Sequence, residues 1–271
     1  MKRYNWLIHV GLAIYSIFFA APLIWMALSA FKGNDEIFDK PFSLPHNYNL
    51  KVFIDAWNIG GLSKYFLNSA LITGISTALV LISASLAAFA FSRFAFKGNK
   101  QLLMVFMIVL LLPIQAYFIS QNKIFEYLNL KDHRLTLVIP YVGLGIPLAT
   151  WLFKAYLDSL PKELFEAARV DGGSDFTMYR YVAAPLLKPG IATVAVFTAL
   201  GTWNEFLLAM IYIQNESYKT IPVGLLTFST RYSTDYQMLF AALTVITIPM
   251  IIIYIAFNRQ IVAGLTEGSL K

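Results

Sequence analysis

Few residues in this chain have the types and spacing for bond-making chemistry. The three histidines, His9, His46 and His133, lie far apart and lack the spacing of a metal-ligand set. Cysteine is absent, which removes disulfides, Fe–S clusters and thiolate zinc sites. No stretch reads G-x-x-x-x-G-K-[ST], so the chain has no phosphate-cradling P-loop. No Ser/His/Asp arrangement and no carboxylate pair falls on one site. What the polar residues do form is one long interval between apolar runs, Glu163 to Pro189, ELFEAARVDGGSDFTMYRYVAAPLLKP. Its chemistry is that of a docking surface.

The interval has the grammar of two helices. Pro161 and Glu163 open the first, with acid in the turn where the helix dipole favours it. Phe165, Ala168 and Arg169 recur at helical spacing, and Ala167 and Ala168 keep part of the surface low. Gly172 and Gly173 are expected to stop this helix through a left-handed turn. Ser174 then caps a second helix, with Asp175 behind it, and Pro185 and Pro189 are expected to end that one. A stiff helix–turn–helix with a small-residue face suits the groove of another protein.

Those two helices need a platform, and composition says which kind. Hydrophobic residues make up 58% of the chain and charged residues 13%, with mean hydropathy +0.63. A soluble domain carries roughly a quarter charged residues, so the chain is membrane-embedded. Its net charge of +6 gathers in no Lys/Arg run, which argues against nucleic-acid binding. A span needs about 20 apolar helical residues, and six segments qualify, at about 6–30, 66–91, 101–120, 135–153, 190–213 and 237–257. The first is too long for a signal peptide's apolar core. Pro113 interrupts the third, Pro140 and Pro147 are expected kinks in the fourth, and Pro249 in the sixth. The short connection 93–100 holds Arg93, Lys97 and Lys100 without an acid, which places it in the cytoplasm. The loop 154–189 and both termini then share that side. The expectation is one all-α, polytopic membrane domain over 1–271, with six transmembrane helices and a cytoplasmic coupling helix.

The polar interval also resembles a known motif. Glu166-Ala167-Ala168, Gly172 four positions beyond Ala168, and Val182-x-x-Pro185 look like the EAA loop of binding-protein-dependent ABC import permeases. Val182 and Ala184 stand where the pattern usually has Ile and Leu. The tail from Val262 to Lys271, VAGLTEGSLK, resembles the G-L-T-x-G-A-V-K ending of one permease in carbohydrate importers of the maltose type. Pro22–Lys32, Ser92–Lys100 and Trp203–Phe206 also look like this family, so the likeness covers essentially the whole chain. It implies a type I ABC importer permease fold in a bacterial or archaeal cytoplasmic membrane.

The resemblance implies partners too. A second homologous permease, two ABC ATPase subunits and an extracytoplasmic solute-binding protein would complete the transporter. This chain would bind no cofactor and catalyse nothing, ATP and Mg being held by the ATPase chains. Glu166, Ala167, Ala168, Asp171 and Gly172 would dock on an ATPase, and Gly264, Leu265, Thr266 and Gly268 would reach between the two. The substrate would be a sugar or oligosaccharide, with a glycerol phosphate or polyol as the alternative.

Glu205 is the one acid inside an expected span. A carboxylate there costs about 2.5–3.5 kcal/mol on insertion scales, so it should face protein or a wet cavity. Either Trp203, Asn204 and Glu205 line the substrate path, or Glu205 locks its helix to a neighbour by a hydrogen bond. A stand-alone secondary transporter would need several intramembrane carboxylates on discontinuous helices, and only Glu205 is available.

Overall fold

The computed structural model describes residues 5–58, 60–229 and 234–267. The chain runs through helices α1 (Asn5–Ser29), α2 (Asn34–Asp39), α3 (Lys51–Asn58), α4 (Leu62–Arg93), α5 (Asn99–Val109), α6 (Phe118–Tyr127) and α7 (Val138–Asp158). It continues through α8 (Glu163–Val170), α9 (Asp175–Met178), a π-helical turn (Tyr179–Ala183), α10 (Ala184–Leu186), α11 (Lys188–Trp203), α12 (Leu207–Tyr212), α13 (Ile221–Gly224) and α14 (Tyr236–Glu267). Among the described residues the only extended pairing is a single bridge between Ser229 and Thr234.

Among the described residues, four helical segments are long and apolar enough to cross a membrane: Ile8–Ser29, Leu62–Arg93, Val138–Asp158 and Tyr236–Asn258. The pair Asp175–Leu186 and Lys188–Trp203 reaches the same standard together but bends by 73°. The prolines explain most of the interruptions. Pro113 ends the α5 run and leads into a 3-10 turn at Ile114–Ala116, because a residue without N–H cannot continue the ladder. Pro140 sits in the first turn of α7, where its missing donor has no partner to lose, so the helix does not break there. Pro147 and Pro249 lie inside α7 and α14.

Two expectations change. Pro185 does not end the second helix of the polar interval. The wider π turn just before it absorbs the proline, and the helix continues to Leu186. Helix α14 runs for 32 residues, about 48 Å at 1.5 Å per residue, so helical backbone continues from the last apolar run into the start of the tail.

The chain groups into two compact units. The first comprises the described parts of Met1–Phe66 and Ile221–Ile251. Its core is Ala30, Ala56, Leu62, Phe228, Ala241 and Ala242. The indole of Trp25 meets Phe240 edge-on at 5.3 Å and donates to the Pro41 carbonyl at 2.7 Å. Asn34 ties the start of α2 to the start of α14, donating to Thr234 O at 2.8 Å and accepting from Tyr236 N at 3.0 Å. The outer surface of α1 is apolar, Ile17 and Phe18 being 69% and 73% exposed, as a lipid- or protein-facing helix requires.

The second unit, Leu67–Thr220 with the described part of Ile252–Lys271, carries the polar interval. Its core joins Val80, Ala84, Ala88 and Phe89 of α4 to Ala149, Phe153 and Leu157 of α7. Phe165, Met178, Ala183, Leu187 and Val194 complete it. Small residues set the spacing: a Cβ on Gly145 would lie 2.7 Å from a Val80 methyl. Ser76, Ser85 and Ala88 are buried as close-packing residues, whereas Gly74 meets open space. At the far end of α4, Asn68 donates to the carbonyls of Ser217 and Lys219 at 2.9 Å each. Asp132 accepts from Gln214 N and Asn215 N at 2.9 and 2.8 Å, so the loops at that end are pinned by side chains.

Candidate functional site

The Gly172 turn follows from backbone geometry. Gly172 has φ +81°, which an L side chain adopts only at a cost. Gly173 N donates to Ala168 O at 2.9 Å and Gly172 N to Arg169 O at 3.1 Å, the two bonds of a Schellman motif. A Cβ on Gly173 would lie 2.6 Å from Ala168 O, so both glycines are required. Ser174 Oγ then accepts from Thr177 N at 3.2 Å, the expected N-cap. Arg169 donates to Asp175 at 2.7 Å across the turn. The angle between α8 and α9 is therefore held by backbone and side chains together.

The helix pair has an inner and an outer face. Inward, Phe165 and Met178 are buried. Phe89 of α4 stands between the two helices, its ring 6.3 Å from Phe165 and 5.6 Å from Tyr179. Tyr179 OH pairs with Ser85 Oγ at 2.8 Å. Outward, Glu166, Ala167, Asp171 and Gly172 are exposed and Ala168 is half-buried. Val170 is 87% exposed and Phe176 65%. Both add apolar area to the outer face of the pair. The residues expected to dock fall on one side, and the residues that anchor them fall on the other.

Gly264, Leu265 and Thr266 continue the backbone of α14, and Gly268 lies outside the described residues.

A second site forms at the break between α11 and α12. Helix α11 ends at Trp203 and α12 begins at Leu207. Glu205 fills the gap. Its Oε1 accepts from Leu208 N at 2.8 Å, and its Oε2 accepts from Ala209 N at 3.1 Å and from Tyr141 OH at 2.6 Å. The carboxylate thus satisfies the orphan donors at the start of α12 and holds α12 to α7. Asn204 turns back to its own helix, Nδ2 donating to Leu200 O at 2.9 Å. A cavity of about 300 Å³ opens beside Glu205 and Tyr141, with Thr198, Thr202 and Gly201 on one wall and mostly apolar side chains elsewhere. Glu205 lines it; Trp203 and Asn204 are not among its lining residues. The structure brings Glu205 together with Tyr141, a partner that its position within an apolar run gave no means of choosing.

The family profile of binding-protein-dependent transport system inner membrane components matches residues 81–267, more than half of the chain, with the whole helix pair inside it. The chain belongs to that family. A probable ABC transporter permease protein of Bacillus subtilis (strain 168) is 37% identical over 97% of this permease and 87% of its own length. A diacetylchitobiose uptake system permease protein of Streptomyces coelicolor is 29% identical over 100% and 90% of the two chains. An arabinooligosaccharides transport system permease protein of Halalkalibacterium halodurans is 29% identical over 98% and 96%. Among solved structures, a bacterial ABC transporter involved in the import of the acidic polysaccharide alginate superposes with TM-score 0.82 at 20% identity. That match covers 95% of this permease and 96% of that chain, and it establishes the fold.

Proposed function

We propose that this permease forms half of the translocation path of an ATP-driven importer for oligosaccharides, and that it receives its motion from a separate ATPase through α8–α10. The observation that carries this reading is the two-faced helix pair: capped by a Schellman turn, packed inward on α4 and α7, and presenting Glu166, Ala167 and Val170 outward. Only a stiff element converts closure of a nucleotide-binding subunit into helix tilt. In this reading Glu166 meets a basic residue of the ATPase, Ala167 and Ala168 permit close approach, and Asp171 and Gly172 keep the turn. Gly264, Leu265, Thr266 and Gly268 reach between the two ATPases in the same reading.

Six spans complete the architecture, with α5 and α6 forming the third around Pro113 and α11 and α12 the fifth around Glu205. Both termini and 154–189 face the cytoplasm, consistent with the cations of 93–100. A second permease, two ATPases holding ATP and Mg, and an external solute-binding protein make up the rest. The oligosaccharide assignment draws on the relatives named for diacetylchitobiose and arabinooligosaccharide transport.

The test is ATP hydrolysis by the reconstituted assembly in proteoliposomes. Binding protein is supplied with diacetylchitobiose, arabino-oligosaccharides, maltodextrins, glycerol 3-phosphate or a polyol. Stimulation by an oligosaccharide, with its uptake, is expected. Stimulation by glycerol 3-phosphate or a polyol alone overturns the substrate class, and solute uptake that proceeds without ATP overturns the importer reading.

A further inference from the structure

Arg93 is the last residue of α4, and its charge alone would mark it only as a topological signal. Its geometry gives it more to do. The guanidinium carbon lies 3.8 Å from the centroid of the Phe165 ring, on the first helix of the pair. Its Nη2 donates to Leu157 O at 2.5 Å, in the last turn of α7. One side chain therefore touches three helices: α4 by covalent attachment, α7 by a hydrogen bond and α8 by stacking. Each partner presents negative potential. A helix C-terminus carries about half a negative charge, and an aromatic face attracts a cation.

The surroundings keep that group in place. Ser92 donates to Asp158 Oδ1 at 2.6 Å, and Lys154 donates to Asp158 Oδ2 at 2.5 Å, so the ends of α4 and α7 are also joined beside it. Phe165 is itself buried, 7% exposed, and sits next to exposed Glu166. Arg93 Nε is buried and without a partner, so the side chain is placed by the stack and the carbonyl rather than by full hydrogen-bond satisfaction.

We infer that Arg93 is a positioning residue for coupling: the joint through which displacement of the α8–α10 pair is passed to α4 and α7 as one body. This rests on the coupling reading of that pair given above. Lysine is not an equivalent, because a point charge on a flexible stem cannot stack on Phe165 and bond Leu157 O with one rigid plane.

The experiment measures oligosaccharide taken up per ATP hydrolysed by the intact assembly in proteoliposomes, using the sugar that stimulates the wild type. Arg93→Lys keeps the charge and the membrane orientation. Phe165→Leu keeps a buried apolar side chain. Each is expected to lower the ratio at least five-fold, and the double variant to fall no further than the lower single. A wild-type ratio in Arg93→Lys, or losses that multiply in the double variant, overturns the inference. If Arg93→Lys does not accumulate in the membrane, Phe165→Leu alone decides, and a wild-type ratio there overturns it.

A separate arm distinguishes failure of the underlying reading. The chain has no cysteine, so Glu166→Cys introduces a single thiol. Crosslinking of that thiol to an ATPase subunit is expected with Arg93 intact. Absence of the crosslink removes the coupling reading itself. A crosslink together with an unaltered ratio in Arg93→Lys removes only the role given to Arg93.

Discussion

Tyr141 and Glu205 lie 64 positions apart in the chain, and the phenol donates to the carboxylate at 2.6 Å. That bond closes a set of three on one carboxylate, the other two coming from the first turn of α12. It supplies a reason for an acid in an apolar span. The break between α11 and α12 leaves backbone donors without helical partners, and a charged acceptor meets two of them.

Glu205→Gln is expected to insert and assemble, because its one amide oxygen, placed where Oε2 lies, still accepts from Ala209 N and Tyr141 OH and only the bond from Leu208 N is lost. Glu205→Ala leaves those donors and the Tyr141 hydroxyl unmet, at a cost of about 1–3 kcal/mol. Tyr141→Phe removes one bond and costs less, within about 1 kcal/mol of the average for intramembrane side-chain bonds. The measurement is the unfolding midpoint in a graded detergent denaturation. If Glu205→Gln instead changes which sugars are carried at unchanged stability, Glu205 acts on the path rather than as a cap.

Glu166→Ala and Gly172→Val are expected to fail in different ways. Glu166 is exposed, so its loss should leave stability within about 0.5 kcal/mol. Uptake should nevertheless fall about ten-fold or more while the protein remains in the membrane. Gly172 holds φ +81°, and a β-branched residue there costs about 1–2 kcal/mol, which loosens the turn as well as the docking. Parallel assays of membrane content, ATP hydrolysis and uptake separate the two. Full uptake by both variants would remove the docking role.

The local parts of this site were legible in the sequence because local rules decide them. Gly172, Gly173 and Ser174 fix a stop and a start within three positions, and the structure has both. Glu205 was legible as a group that must face protein, but not its partner, since nothing near Tyr141 distinguishes it from other aromatics in apolar runs. Arg93 read as a cytoplasmic charge, and its stack on Phe165 depends on how α4, α7 and α8 converge. Pro185 misled for a related reason. A proline ends a helix only if the preceding turn cannot widen, and here the π turn at Tyr179–Ala183 does so.

Lys32 is 1% exposed and donates to the carbonyls of Lys40 and Pro41 at 3.1 Å each. Both acceptors have other donors: Ser43 N and Oγ for Lys40 O, at 3.2 and 3.0 Å, and Trp25 Nε1 for Pro41 O, at 2.7 Å. Lys32→Met keeps most of the buried stem and removes a buried charge, so it is expected to cost no more than about 1 kcal/mol, in line with the near-neutral outcome of replacing buried charges by apolar isosteres. Lys32→Glu places an anion against those same carbonyls and is expected to abolish accumulation in the membrane. Equal loss in the two variants would show that the charge itself holds the loop.

The close crossing of α4 and α7 gives a prediction with a built-in rescue. A Cβ on Gly145 would lie 2.7 Å from one Val80 methyl and 3.3 Å from the other, and Val80 is fully buried. Valine has little rotamer freedom in a helix, so the methyls cannot swing clear and the helices must part. Gly145→Ala is therefore expected to cost about 1–3 kcal/mol, the range for overpacking. Val80→Ala should cost less than that in isolation, because it trims two methyls at a site already crowded. In the double variant the new methyl takes the space that Val80 vacated. The coupling energy between the two should then be favourable by about 1 kcal/mol or more, as for residues in direct contact. Strictly additive losses would mean that Gly145 is small for another reason, such as the shape of the cavity it lines with Glu205 and Tyr141. That outcome would show as altered uptake at unaltered stability.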